Sequence, residues 1–485
     1  MNYKIILNYL GKISLLEAAF MLPSLIIAIF ADPAQSIISF AVSITAAAIV
    51  GALLLFLVKP KTRSIYSREG CVIVALSWVV ISLFGAIPMT LSGAIPSYVD
   101  AVFETVSGFT TTGATILVDI ESLPMSVLYW RSFTHWLGGM GVLIFILALA
   151  PDGHGNGMPF HIMRAESPVP VAGKLAPKLH LTARILYSIY LALTVIQVVI
   201  LLFGGMPLFD AITASFSTAG TGGFSIKNDS FASYNPFCQT TLAVFMLLFG
   251  VNFNIYFLLI MREFGRVFKN SELRLYLVLV FGSTVAITVN TLSYFKGAVG
   301  EAWHHSFFQV ASIITTTGGT TLNYAEWPEF SHEILLLLMV VGACAGSTGG
   351  GVKVSRVVIM WKSFKNEIKK LLHPHSVYAI KMDGEVVERG TVSRCGVFFF
   401  VYLVLIALST VLLALDGNSL ETNFSAVLAC INNVGPGFGA VGPIEAYNCF
   451  SAGGKILLSI NMLFGRLGIF PFLLLFVPYT WNTRK

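Results

Sequence analysis

The sequence predicts an all-α integral membrane protein: four helix–pore-loop–helix repeats around a central pore, preceded by an N-terminal two-helix hairpin. Three observations predict it. The composition is apolar, stretches long enough to cross a bilayer recur along the chain, and one polar glycine turn appears four times. Of 485 residues, 56% are hydrophobic and 11% charged, with a mean hydropathy of +0.80; soluble domains carry roughly 25% charged residues. Uncharged apolar runs of about 20 residues, enough for a ~30 Å hydrocarbon core, follow one another closely, and no separate soluble domain is expected.

The hairpin comes first. Residues 13–30 resemble the apolar part of a signal peptide, but 36–58 follow at once and no small-residue cleavage site separates them, so residues 1–58 read as a retained pair of helices. Six scattered cysteines, without a Cys-x-x-Cys pair, read as small core residues and not as metal ligands. The formal charge of +6 could suggest a nucleic-acid partner, yet the bases sit in short loops between apolar runs, where positive-inside sorting puts them. Loops with Lys59, Lys61, Arg63 and Arg68, then Arg164, Lys174, Lys178 and Arg184, then Arg262, Arg266, Lys269 and Arg274 are therefore expected in the cytoplasm, with residues 353–394 and both termini. Acids gather on the other side at Asp100, Asp119, Glu121, Glu326, Glu329 and Glu333, an arrangement that attracts cations.

The repeat is an apolar helix, a short amphipathic helix, a polar glycine turn and a second apolar helix. The turns run from Thr110 to Thr115, Ser217 to Thr221, Thr315 to Gly319 and Asn432 to Pro436. Aligned on Gly113, Gly220, Gly318 and Gly435, they lie about 100 residues apart, room for two spans and a re-entrant segment. Repeats are thus expected at 59–150, 151–262, 263–372 and 373–485. The flanking spans are 71–92 with 127–150, 185–205 with 241–261, 275–294 with 332–345, and 396–415 with 456–477.

Non-helical backbone at membrane depth survives only where protein or a polar cavity satisfies it. Four such turns can share one cavity. A potassium filter replaces the ion's water shell with backbone carbonyls, and glycine tolerates the positive φ that turning them inward requires. A short helix ending at each turn points its negative dipole end at a cation. The candidate potassium-binding residues are accordingly Thr111, Thr112 and Gly113; Thr218, Ala219 and Gly220; Thr316, Thr317 and Gly318; and Asn433, Val434 and Gly435. One such turn alone would read as an ordinary small-residue packing site between helices.

The second span of the third repeat is interrupted by Gly346, Ser347, Thr348, Gly349, Gly350 and Gly351, four glycines in six positions at about 1 kcal/mol each in a helix. An unwound loop is expected there. A Walker A phosphate loop is excluded, because Val352 stands between the last glycine and Lys353, and Val354 follows it. Arg466 falls inside residues 456–477, where a central arginine costs about 2.5–3.5 kcal/mol, so it must face the pore, the glycine loop or a buried acid. Arg131, near the outer end of its span, reads as a filter support or as snorkelling to the interface. The pairs His304-His305 and His373-Pro374-His375 lack companions at zinc spacing, and no paired nucleophile and base suggests an enzyme.

Together with the four turns, several motifs resemble the Trk/Ktr/HKT superfamily of potassium transporters and, within it, the bacterial TrkH/TrkG branch, over essentially the whole chain. They are Ser67-Arg68-Glu69-Gly70, the run Trp130 to Gly141 (WRSFTHWLGGMG), Arg164-Ala165-Glu166-Ser167-Pro168, and Gly346 to Lys353 (GSTGGGVK). The N-terminal hairpin is similar to that branch and unlike the shorter KtrB proteins. Gly319 and Gly468 depart from it, standing where many relatives place an aromatic and an acidic residue. The resemblance implies potassium uptake across the bacterial inner membrane without a covalently bound cofactor. It also implies a gate at Gly346 to Gly351, Lys353 and Arg466, a homodimer, and cytoplasmic TrkA-like nucleotide-binding regulatory subunits. The competing expectation is a sodium- or proton-coupled symporter, or a sodium-permeable pore, of the same fold.

Overall fold

The structure, a computed structural model, describes residues 1–59, 67–141, 179–373 and 379–481. The motif Arg164 to Pro168 and the bases Lys61, Arg63, Arg164, Lys174 and Lys178, expected in the cytoplasm, lie outside these residues. So do residues 142–150 of the span expected at 127–150.

The fold is almost entirely helical; the described strands are Lys381–Met382 and Glu385–Val386, one small antiparallel hairpin. The N-terminal hairpin pairs Tyr3–Ala31, interrupted by a turn at Met21 before Pro23, with Ala34–Leu57. The two helices cross where Gly11 and Gly51 meet, close enough that a Cβ on Gly51 would stand 2.8 Å from the Gly11 carbonyl oxygen. Asp32, at the end of the first arm, accepts hydrogen bonds from the amides of Met125 (2.8 Å) and Ser126 (2.9 Å). The hairpin thereby caps the N-terminus of a helix in the first repeat.

Each repeat has an outer helix, a pore helix and an inner helix. The outer helices are Ser67–Leu91, Leu179–Phe203, Ser271–Thr291 and Arg389–Leu413, and the pore helices are Tyr98–Phe109, Leu208–Gly220, Val299–Ile314 and Leu420–Ile431. The outer helices are apolar outward and more polar inward. In Ser271–Thr291, Thr284, Thr288 and Thr291 are buried, each bonding a carbonyl one turn back, while Val278, Phe281, Val285 and Val289 are exposed. Such a face suits hydrocarbon, and the threonines spend their hydroxyls on their own backbone.

The sequence announces a break only in the third inner helix; the structure breaks all four. The first, Met125–Met140, ends at Gly141 with φ 79°. Pro236–Gly250 and Phe253–Ile260 of the second meet at 90° around Val251 and Asn252. Glu329–Val341 of the third stops at Gly342, φ 70°, and the fourth, Ala452–Leu467, stops at Gly468, φ 76°, before Ile469–Leu473. Among the described residues six helices are long and apolar enough to cross a membrane, seven if the bent pair counts as one span, where the sequence suggests ten spans with one of them interrupted. At these points the backbone of the inner helices is irregular. Such irregular backbone survives there because it is packed inside protein.

Candidate functional site

Each pore helix ends in the interior, and its last carbonyls receive the amides of the turn. Thr112, Gly222, Thr317 and Val434 donate their N–H groups to the carbonyls of Ser107, Ser217, Ser312 and Ala429, at 2.8 to 2.9 Å. This shared register defines equivalent positions. One residue earlier stand Thr111, Thr221, Thr316 and Asn433, all left-handed, at φ 55°, 56°, 61° and 55°. One residue later stand Gly113, Gly223, Gly318 and Gly435, at φ 83°, 79°, 79° and 97°.

This register corrects the second turn by three residues. The residue equivalent to Gly113 is Gly223, not Gly220, which closes the pore helix with right-handed backbone together with Thr218 and Ala219. The turn itself is Gly220-Thr221-Gly222-Gly223. Left-handed backbone in a residue with a side chain costs of order 1–3 kcal/mol, and four such residues at one repeated position mark strain concentrated at a functional site.

The four turns close on one another. A Cβ at Gly113 would collide with the carbonyl oxygen of Gly222, at Gly223 with that of Thr317, and at Gly318 with that of Val434; at Gly435 it would crowd that of Thr112. The circuit runs from repeat 1 through 2, 3 and 4 back to 1. Asn433 strengthens the closing joint, donating its amide to Thr112 Oγ1 (2.9 Å) and the Met462 carbonyl (3.0 Å). Hydroxyl pairs stiffen two quarters from behind: Thr110 with Thr112 and Thr315 with Thr317, both at 2.8 Å.

Above the ring lies a cavity of about 140 Å³ onto which Gly113, Gly223, Gly318 and Gly435 open. Its wall is tied by a buried ion pair absent from the sequence reading. Arg131 neither snorkels nor meets solvent; its guanidinium lies 2.8 Å from Glu104. It donates also to Thr115 Oγ1 and the Ser225 carbonyl, both at 3.3 Å, and covers the Phe224 ring at 4.2 Å. Glu104 also accepts from Thr115 Oγ1 and the Ile116 amide, so the pair anchors the segment leaving the first turn and reaches the second. The outer acids are partly matched: Asp100 pairs with Lys455 at 2.7 Å, and hydrogen bonds from Asn228 and Ser122 hold Asp119 below the usual carboxylate range.

The Gly346 to Gly351 segment is unwound and lies against the turns. The Gly350 amide donates to Thr316 Oγ1 (2.6 Å), and the Gly351 amide to the Asn432 carbonyl (2.9 Å). On its other edge the Phe253 amide donates to the Gly346 carbonyl (3.0 Å), stitching it to the break in the second inner helix. Glu272 receives the amides of Ala345 (2.6 Å) and Ser355 (3.0 Å), clamping both ends of the excursion. Lys353, itself left-handed at φ 83°, donates to the Gly349 carbonyl. Arg466 donates to the carbonyls of Thr348 and Gly139, each at 2.7 Å, and to that of Gly138. One side chain thus joins the first, third and fourth repeats. A second cavity, of about 130 Å³, is lined by Gly350, Gly351, Lys353, Arg356, Phe398 and Arg466.

Gly319 leaves a gap that Phe231 fills: a Cβ there would stand 2.6 Å from the Phe231 ring, whose backbone amide bonds the Thr320 carbonyl. The aromatic group comes from another repeat. Of the cysteines, Cys238, Cys344, Cys395 and Cys430 are buried, and Cys449 is exposed.

A nearly all-helical protein with several helices long and apolar enough to cross a membrane, and four interior turns packed against one another, fits the class of membrane transport proteins. The family model for TrkH, a cation transport protein, matches residues 36–483, and the chain belongs to that family. It is similar to the Trk system potassium uptake protein TrkH of Escherichia coli K12, with 35% identity over 99% of this chain and 100% of that one. TrkG of the same organism is 32% identical over 99% of both. The crystal structure of the potassium transporter TrkH from Vibrio parahaemolyticus superposes with a TM-score of 0.88 at 32% identity, covering 99% of this chain and all of that one. These relatives are transporters, not enzymes.

Proposed function

We propose that this protein takes up potassium across the bacterial inner membrane through the ring formed by Thr112-Gly113, Gly222-Gly223, Thr317-Gly318 and Val434-Gly435. The observation that carries the reading is the mutual contact of glycine and carbonyl around all four quarters. Carbonyls fixed by their neighbours keep a constant spacing, and constant spacing lets the site match one ion's lost hydration. The pore helices add the negative ends of their dipoles. Thr111, Thr316 and Asn433 belong to this filter, and Thr221 takes the place first given to Thr218. The reading divides the chain into a hairpin and four repeats at the boundaries expected from the sequence.

The segment Gly346 to Gly351 acts as the gate. Its amides occupy hydroxyl and carbonyl oxygens of the third and fourth turns, and Arg466 and Lys353 add positive charge on the same side, opposing a cation leaving the ring. Opening withdraws the loop. A homodimer with TrkA-like regulatory subunits in the cytoplasm, and both termini on that side, complete the reading. The relatives named for a Trk system support a partner of that kind.

Expression in a bacterium lacking its own potassium uptake tests this. Growth at low potassium should be restored, and should not depend on added sodium or on external pH. Rescue that required sodium or an acid medium would favour the coupled symporter, and absence of rescue by correctly inserted protein would refute potassium uptake.

A further inference from the structure

The four quarters of the ring are not alike. Where the first and third carry threonines on both sides of the left-handed residue (Thr110 and Thr112, Thr315 and Thr317) and the fourth carries Asn432 and Val434, the second has Gly220 and Gly222. Neither glycine has positive φ, so backbone conformation does not demand them. Space does. A Cβ on Gly222 would overlap the imidazole of His135, and one on Gly220 would overlap the His135 backbone carbonyl.

His135 comes from the inner helix of the first repeat, one turn beyond Arg131. It is fully buried, and neither ring nitrogen has a hydrogen-bond partner among the described residues. Its ring stacks on Phe224, the residue after Gly223, with centroids 4.2 Å apart and planes 18° apart. Arg131 covers the same phenyl ring. The imidazole therefore touches the second turn at Gly222 and at Phe224, on both sides of the ring glycine. The hydroxyl clasp of the first and third quarters has no counterpart in the second, whose turn offers only hydrogens there.

We infer that His135 is a positioning residue for ion selectivity: it is the backing of the second filter quarter, standing where the other quarters use their own turn side chains, and Gly220 and Gly222 are glycines to admit it. The inference rests on the reading of the four turns as the filter. Burying an imidazole without hydrogen-bond partners is costly, and the packing it provides has to offset that cost. Removing the ring leaves Gly222, the most mobile residue type, unsupported, and its carbonyl is the one that abuts Gly113.

The test is a double-mutant cycle on purified protein in liposomes, scored by rubidium uptake against sodium competition. His135→Ala should let sodium compete several-fold more strongly, and Gly222→Ala should do the same or fail to fold, because its methyl strikes the ring. Combining the two should bring competition back toward wild type, since each change makes room for the other. If Gly222→Ala alone yields no folded protein, recovery of folded yield in the double variant is the expected result. Two results overturn the inference: unchanged competition in folded His135→Ala, or a double variant no better than the worse single one. Gly113→Ser, in a different quarter, serves as control. If it weakens selectivity while His135→Ala does not, only the backing role fails; if neither does, the filter reading fails with it.

Discussion

Two glycine-rich segments lie a few ångströms apart and are held in different ways. In the ring, Gly113, Gly223, Gly318 and Gly435 are left-handed and each presses on a neighbour's carbonyl, so every quarter is held by the next. In the loop, Gly350 and Gly351 meet the turns through two hydrogen bonds, Gly350 also lying against the Asn432 carbonyl, and Phe253, Arg466, Lys353 and Glu272 supply further ties. The first arrangement cannot yield at one point without disturbing all four. The second can be undone one hydrogen bond at a time, at a net of about 0.5–1.5 kcal/mol each. Under the proposed function, selectivity draws on the first and gating on the second.

The largest effect is expected where the wall above the ring is anchored. Glu104→Ala strands Arg131 as a buried charge, and breaking such a pair costs about 3–5 kcal/mol. Size-exclusion profiles should show loss of folded protein, whereas Glu104→Gln, which keeps an acceptor for Thr115 or Ile116, should survive in part. Equal tolerance of both changes would separate the ion pair from the ring's rigidity. Next comes Gly113→Ser. A side chain at φ 83°, aimed at the Gly222 carbonyl, must displace one or both turns, and sodium should compete with rubidium about tenfold more effectively, equivalent to ~1.4 kcal/mol. Unchanged competition in folded protein would remove Gly113 from the filter.

The loop should answer in the opposite sense. Deleting residues 346–351 should raise basal rubidium exchange several-fold in liposomes without any partner subunit, leaving potassium preference intact; lower exchange, or lost preference, would make the segment a structural kink. Arg466→Ala is milder, because it frees three carbonyls and one positive charge but leaves the Gly350 and Gly351 contacts in place. A roughly twofold rise is expected, about 0.4 kcal/mol on the barrier. Loss of folded protein instead would assign Arg466 to holding the first and third repeats together.

The four turns were legible because each breaks an apolar run with polar side chains and a glycine, hydroxyls in the first three and asparagines in the fourth, a pattern with no purpose in an ordinary span. The register of the second turn was not, because Gly220, Gly222 and Gly223 all fit a rule that asks only for glycine. A finer signal was present: Ser107, Ser217 and Ser312 each stand six residues before their ring glycine, and each turn's amide bonds that serine's carbonyl. The breaks at Gly141 and Gly468 were hidden for a different reason. A single glycine costs a helix about 1 kcal/mol and is often tolerated, so only the four-glycine cluster of the third repeat stood out. Glu104 escaped because its partner lies in another helix, and the amphipathic pattern around it accounts for a carboxylate equally well. His135 was read only as part of a motif; its significance depends on the absence of side chains at Gly220 and Gly222, which is visible only once the turns are set in register.

The central claim, that the four turns form one ion-binding ring, is tested most directly by anomalous scattering from crystals grown in rubidium. The account predicts rubidium on the axis of the ring, coordinated by the carbonyls of Thr112, Gly222, Thr317 and Val434 and diminished when sodium replaces it. Rubidium bound elsewhere, with the ring axis empty at full occupancy of the other sites, would contradict it.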